Sequence, residues 1–165
     1  MKKVLIVEDE ILARLGLRQL VDWRKLELEL LPDATDGEEA LEMIRNSCPD
    51  IILLDLNIPK VSGLEILEFL KKEEMPTKVI VVSCQEEFDV VKKAMKLGAY
   101  DYLRKLNLSS DELENILEKC LVETEERITV HMQGIREIRY EEIVRDSRDT
   151  VSYTHLRAHE TSLHL

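Results

Sequence analysis

Asp55 ends one of the most apolar runs in the chain, Ile51-Ile52-Leu53-Leu54, and three other strand-like runs end in groups that could join it. Val4-Leu5-Ile6-Val7 leads into Glu8-Asp9-Glu10, Val79-Ile80-Val81-Val82 into Ser83, and Tyr100 to Leu103 into Arg104-Lys105. Carboxylates gathered without a cation repel one another and raise each other's pKa. A hard divalent ion such as Mg²⁺ removes that conflict, held by one or two carboxylates while keeping waters and a phosphate oxygen in its shell. A hydroxyl and an ammonium beside it make a site for a phosphoryl group, with Asp55 as nucleophile. Singly, each residue has a plainer reading: acidic residues after strands cap helices, and a lone lysine sits on a surface. The agreement of four separate strand ends favours chemistry.

Those ends meet only if the strands run parallel. Apolar runs as continuous as residues 51–54 suit strands buried on both faces, which is the habit of parallel sheets covered by helices. The patterning predicts strands over residues 3–7, 28–31, 51–54, 78–82 and 100–103. It predicts helices over 11–21, 38–44, 64–72 and 88–97, and a fifth behind Ser109 or Ser110. In the first helix Ile11, Leu12, Leu15, Leu17 and Leu20 set the apolar face. Gly98 stops the fourth helix, and Ser109-x-x-Glu112 reads as a capping box for the fifth. Strands and helices alternating this way make an α/β doubly wound parallel sheet with helices on both faces. Ligands in such folds bind beyond the carboxyl ends of the strands.

The 165 residues suffice for one domain with some surplus, and a hydrophobic content of 44% with only 4% aromatics implies an aliphatic core. A net charge of −11 argues against this chain itself gripping a phosphate backbone or an anionic membrane. Cys48, Cys84 and Cys120 are odd in number and widely spaced, and read as buried free thiols in a reducing compartment. Met1-Lys2-Lys3 leads directly into a strand, so no signal peptide is expected, and no run approaches the roughly 18 apolar residues of a membrane span. The expected location is the cytoplasm.

Residues 113–150 change character. Leu113, Ile116, Leu117, Cys120 and Leu121 form one apolar face, which Ile128, Ile135 and Ile138 continue more sparsely. A final helix with a solvated tail and a helical linker able to pair with its own copy both fit. Beyond them, Val151-Ser152-Tyr153-Thr154-His155-Leu156-Arg157-Ala158-His159-Glu160-Thr161 looks like the translation of a transposase adapter used in preparing sequencing libraries. On that reading residues 151–165 are an artefact, and the natural sequence is cut near Asp149.

Taken together, these motifs resemble the receiver domains of two-component response regulators, over residues 2–122. The resemblance rests on Val4 to Glu10, Asp36-Gly37-Glu38-Glu39-Ala40-Leu41, Asp50 to Asp55 with Pro59 and Gly63, Ser83, and Gly98-Ala99-Tyr100-Asp101-Tyr102-Leu103-Arg104-Lys105. It implies a flavodoxin-like fold with strand order 2-1-3-4-5. It implies that Asp55 is phosphorylated by a sensor histidine kinase, with Mg²⁺ held by Asp9, by Glu8 through water, by Asp55, and by the backbone carbonyl of Asn57. Ser83 and Lys105 match the positions that contact the phosphoryl group, and Tyr102 matches the aromatic that swings with the hydroxyl residue.

The implied organisation is a receiver over residues 1–122, a truncated helical linker over 123–150, and the adapter segment. Val21-Asp22-Trp23-Arg24-Lys25-Leu26 resembles a subgroup joined to a helix-turn-helix domain of the arabinose-regulator type. DNA would then be reached only through an output domain absent from this chain. A homodimer would form through the face of the fourth helix, fifth strand and fifth helix, or through the linker.

Two residues depart from the family pattern. Leu106 stands where a proline normally follows the lysine through a cis bond, and a non-proline cis bond costs about 3–4 kcal/mol against roughly 0.5–1 for proline. Glu8 stands where aspartate is more frequent, lengthening one ligand arm. A misplaced Lys105 would make this an atypical receiver, an interaction module that signals without phosphorylation. An enzyme of another class, an aspartyl-phosphate phosphohydrolase, is disfavoured because Asp55-Leu56-Asn57 lacks the second acid such enzymes use at that spacing.

Overall fold

Strand β1 (Lys2–Val7) lies between β2 (Leu28–Leu30) and β3 (Ile51–Leu54), and β4 (Lys78–Ser83) and β5 (Asp101–Arg104) follow, giving the order β2-β1-β3-β4-β5. The structure, a computed structural model, describes residues 1–84 and 87–123. Every strand pair is parallel, and the register aligns Val7 with Leu54, Leu54 with Val81, and Ser83 with Arg104. The residues just past β1, β3, β4 and β5 therefore leave the sheet on one edge.

The helices α1 (Ile11–Leu20), α2 (Gly37–Ser47), α3 (Gly63–Lys72) and α4 (Phe88–Lys96) fill the crossovers, and a fifth, α5, is described over 110–123. Leu5, Val7, Ile52, Leu54, Val79 and Val81 form one sheet face and pack with Ala40, Ile44, Ile66, Leu67, Leu70 and Ala94 of α2, α3 and α4. Side chains alternate across a strand, so Val4, Ile6, Ile51, Leu53, Ile80 and Val82 face the other way, and all are buried too. Leu17 of α1 and Leu113 and Leu117 of α5 supply buried apolar groups from the remaining helices. Both faces are covered, as the unbroken apolar strands require.

Local chemistry sets the helix ends. Asp36 accepts a hydrogen bond from Glu39 N at 2.7 Å to open α2, and Ser62 does the same for α3 from Glu65 N at 3.2 Å. Gly98, at φ +99°, ends α4 in the left-handed conformation that a side chain would disfavour. The expected capping box forms before α5: Glu112 N donates to Ser109 Oγ at 3.1 Å and Ser109 N to Glu112 Oε1 at 3.4 Å. Trp23 is buried beyond the end of α1, its indole Nε1 donating to Arg18 O at 3.1 Å.

Two expectations are corrected. Of the apolar face proposed for α1 only Leu17 is buried, whereas Ile11, Leu12 and Leu15 are exposed. The reason is rotational: Ala13, Arg14, Leu17, Arg18 and Leu20 turn inward, and Ile11, Leu12 and Leu15 lie on the opposite side of the helix. Cys48 and Cys84 are exposed, and only Cys120 is buried. Both exposed thiols sit where an element ends, Cys48 as the α2 C-cap at φ 44° and Cys84 directly after β4.

Met1–Glu118 forms one compact unit; of the second, Lys119–Leu165, residues 119–123 are described and helical. The expected linker beyond 123 and the adapter segment at 151–165 lie outside the described residues. Among the described residues no helix is long and apolar enough to cross a membrane.

Candidate acidic site at the sheet edge

Three carboxylates converge where β1 and β3 end. Glu8, Asp9 and Asp55 each bring an oxygen within 4.8 Å of the others. Glu8 and Asp55 are buried, at 1% and 5% exposure, while Asp9 faces solvent. The backbone explains the placement. Glu8 N donates to Ala34 O at 3.0 Å and Asp55 N to Val7 O at 3.0 Å, so each residue is held by a neighbouring backbone segment before its side chain leaves the sheet.

Lys105 closes the group from the end of β5. Its Nζ lies 2.9 Å from Asp55 Oδ2 and 2.6 Å from Glu8 Oε1. The Asp55 contact is a hydrogen bond, whereas Glu8 Oε1 has close approach without hydrogen-bond alignment, leaving a buried oxygen incompletely satisfied. The Lys105–Leu106 peptide bond is trans, as are all the described peptide bonds. The lysine still reaches both acids, because its backbone N donates to Ser83 O at 3.1 Å and carries the β4–β5 pairing one residue further.

Electrostatics follow from this crowding. Burial raises the pKa of Glu8, and the Asp55 charge adds to it; the Lys105 ammonium and the Glu10 N–H, which donates to Glu8 Oε2 at 3.1 Å, offset only part. For Lys105, burial works to lower the pKa. Its close contacts with Glu8 and Asp55 and their charges win, and hold the ammonium above the ordinary lysine range.

The other predicted residues fall around this centre. Asn57 is exposed, and its backbone N donates to Asp55 Oδ1 at 3.1 Å, so both oxygens of Asp55 are engaged by fixed donors. Ser83 is fully buried at the last position of β4. Tyr102 pairs in register with Val81 and packs half-buried against the apolar core. The loop behind Asp55 is braced by Gly37 N on Pro59 O at 3.0 Å and Gly63 N on Leu56 O at 3.0 Å. A Cβ at Gly37 would lie 1.9 Å from Val61 O, so only glycine lets α2 approach this loop.

Sequence patterning missed one contributor, Arg14. Its Nη1 donates to Glu8 O at 3.0 Å and to Asp9 O at 3.1 Å. A signal was present, since a cation near a helix N-terminus opposes the macrodipole and needs a reason to be there.

The residues present fit a hard divalent cation: three oxygen donors, two of them buried, one incompletely satisfied, with an open side at Asp9. Comparison with known proteins shows which family the chain resembles. Residues 4–118 match the family model described as the response regulator receiver domain. An uncharacterized response regulatory protein of Staphylococcus epidermidis is 33% identical over 118 residues, covering 72% of this chain and 46% of the relative. The uncharacterized transcriptional regulatory protein YesN of Bacillus subtilis is 30% identical over 141 residues, covering 86% of this chain and 38% of the relative. Among solved structures, the REC domain of AraT, a response regulator from Geobacillus stearothermophilus, superposes with a TM-score of 0.69 at 31% identity, covering 76% of this chain and 97% of that one. The chain thus spans less than half the length of these two curated relatives.

Proposed function

The chain belongs to the response regulator receiver domain family, and from that premise we propose that Asp55 accepts a phosphoryl group from a partner histidine kinase. The observation that carries the reading is the meeting of Lys105 Nζ with Asp55 and Glu8 at 2.9 and 2.6 Å, with Asp9 in the same cluster. An Asp55 oxygen attacks the phosphorus of a phosphohistidine. The new O–P bond forms as the N–P bond breaks, and the imidazole leaves with the electron pair and takes up a proton from water.

Mg²⁺ is the proposed cofactor, held by Asp9, Asp55 and the Asn57 backbone carbonyl, with Glu8 acting through water; when bound it neutralises charge on the transferring phosphoryl oxygens. Lys105 then moves its ammonium from Asp55 to a phosphoryl oxygen, and Ser83 donates its hydroxyl to another. The cost of keeping Glu8 ionised falls once a cation faces it.

Phosphorylation is proposed to shift a two-state equilibrium in which Ser83 and Tyr102 rearrange and alter the α4–β5–α5 face. Phe88 and Met95 of α4 are exposed large apolar residues on that part of the surface, and fit a face that takes a partner or a second copy. The word transcriptional in the name of YesN supports control of transcription through a further domain, reached by a linker over 123–150. A cytoplasmic location fits a phosphoryl donor of this kind.

The alternative, a receiver that signals without phosphorylation, needs Lys105 to be misplaced by the missing proline, and the contacts of Lys105 weigh against it. Incubation with acetyl phosphate and Mg²⁺ followed by intact-mass measurement tests the proposal. A single phosphoryl adduct is expected on the wild type and none on Asp55→Ala. An unlabelled wild type, or equal labelling of both, would overturn it.

A further inference from the structure

Arg14 sits in the second turn of α1, four residues after the N-cap Glu10, and its side chain runs back toward the start of the helix. A positive charge there is disfavoured by the helix dipole. The structure offsets that cost in two ways. One terminal nitrogen serves both Glu8 O at 3.0 Å and Asp9 O at 3.1 Å, and Nε lies 3.9 Å from Asp33 Oδ2. Asp33 is itself fixed by Arg18, whose Nη1 donates to Oδ1 at 2.7 Å and to Leu31 O at 3.5 Å. Arg14 and Asp33 are only 18% and 15% exposed, so this is a seated network and not a pair of waving surface chains.

The consequence is for the two residues that carry the acids. Glu8 has its backbone N–H tied to Ala34 O, next to Asp33, and its backbone C=O tied to Arg14. With both ends of the residue held, the direction of its side chain is set before any cation arrives. Asp9, exposed and without such backing from the sheet, has its carbonyl held by the same nitrogen.

We propose that Arg14 is a positioning residue that clamps the Glu8–Asp9 backbone and so sets the affinity of the acidic site for a divalent cation. The inference rests on the cation-binding reading above. It differs from a simple charge effect in sign. If the Arg14 charge dominated, it would repel the cation, and removing it would tighten binding. If the clamp dominates, removing it loosens two ligand arms and weakens binding. Lysine separates the two, because it keeps the charge but not the planar fork that reaches the carbonyls and Asp33 together.

The test is Mn²⁺ binding by the full chain, read from the free-ion paramagnetic resonance signal, for wild type, Arg14→Lys and Arg14→Ala, at a temperature where each is folded. Both variants are expected to bind about tenfold more weakly, the scale of losing a group that orients a ligand. Exchange of the Glu10 amide, which donates to Glu8 Oε2, is expected to quicken in both variants in EDTA. Wild-type binding by Arg14→Lys, or tighter binding by Arg14→Ala, would overturn the clamp. A wild type that fails to bind Mn²⁺ would instead remove the cation reading, and the clamp would then stand or fall on the Glu10 exchange alone.

Discussion

Lys105 Nζ lies closer to Glu8 Oε1, at 2.6 Å, than to Asp55 Oδ2, at 2.9 Å. The lysine therefore bridges a pair of buried acids, one just after β1 and one just after β3, and offsets their mutual repulsion.

Glu8 sets a pH dependence with a definite sign. Its pKa in the fold is above the ordinary glutamate value of 4.5, chiefly because it is buried. The folded state then binds more protons than the unfolded chain, so stability falls as pH rises from about 4.5 through the raised pKa. Glu8→Gln removes this slope. In EDTA near neutral pH it is expected to melt at the same temperature as the wild type or higher, and to lose affinity for Mg²⁺. Thermal melts from pH 4 to 8 check both, and a variant with an unchanged slope would contradict the assignment.

Leu106→Pro is expected to leave the rate of labelling by acetyl phosphate unchanged. The trans bond after Lys105 already delivers its ammonium to Asp55, so restoring the family's proline has nothing to correct. A clear gain in rate would mean that Lys105 is poorly placed in solution.

Two glycines should respond in opposite directions to alanine. A Cβ at Gly37 would strike the Val61 backbone at 1.9 Å, and Gly37→Ala should cost about 1–3 kcal/mol, lowering the melting temperature by several degrees. Gly16 lies inside α1 with nothing within 4 Å, and Gly16→Ala should add about 0.5–1 kcal/mol. Urea melts of the two variants give both numbers. Equal effects would refute the close contact at Gly37.

The three cysteines should react unequally. A bulky thiol reagent is expected to modify Cys48 and Cys84 in the native protein and Cys120 only after unfolding. Cys48→Gly should also stabilise by about 1 kcal/mol, because residue 48 adopts the left-handed conformation at φ 44°. Mass measurement after timed labelling distinguishes the sites.

The strands and the edge they share were legible because burial on both faces leaves nothing polar until a strand ends. Asp55 and Ser83 stand out against residues 51–54 and 79–82 for that reason, whereas β5 carries Asp101 and Arg104 and is only partly buried, so Lys105 is marked by its place after the strand alone. Cap chemistry at Gly98 and Ser109 was equally local, and so equally readable. The apolar stripe on α1 misled: its isoleucine and leucines are spread around the helix, and residue type alone does not say which side the sheet takes. Arg14 was harder to see, for a different reason. Its partners are backbone carbonyls, which every residue possesses, so no residue type marks them.

The network behind the acidic loop also ends on a chromophore. Arg14 meets Asp33, Asp33 meets Arg18, and the Arg18 carbonyl accepts from the indole of Trp23, the one tryptophan in the chain. Excitation at the red edge of protein absorbance therefore addresses a single residue, whose emission colour depends on how far the buried indole is kept from water. Trp23 emission thus reports on the packing beyond the end of α1, readable without any added dye.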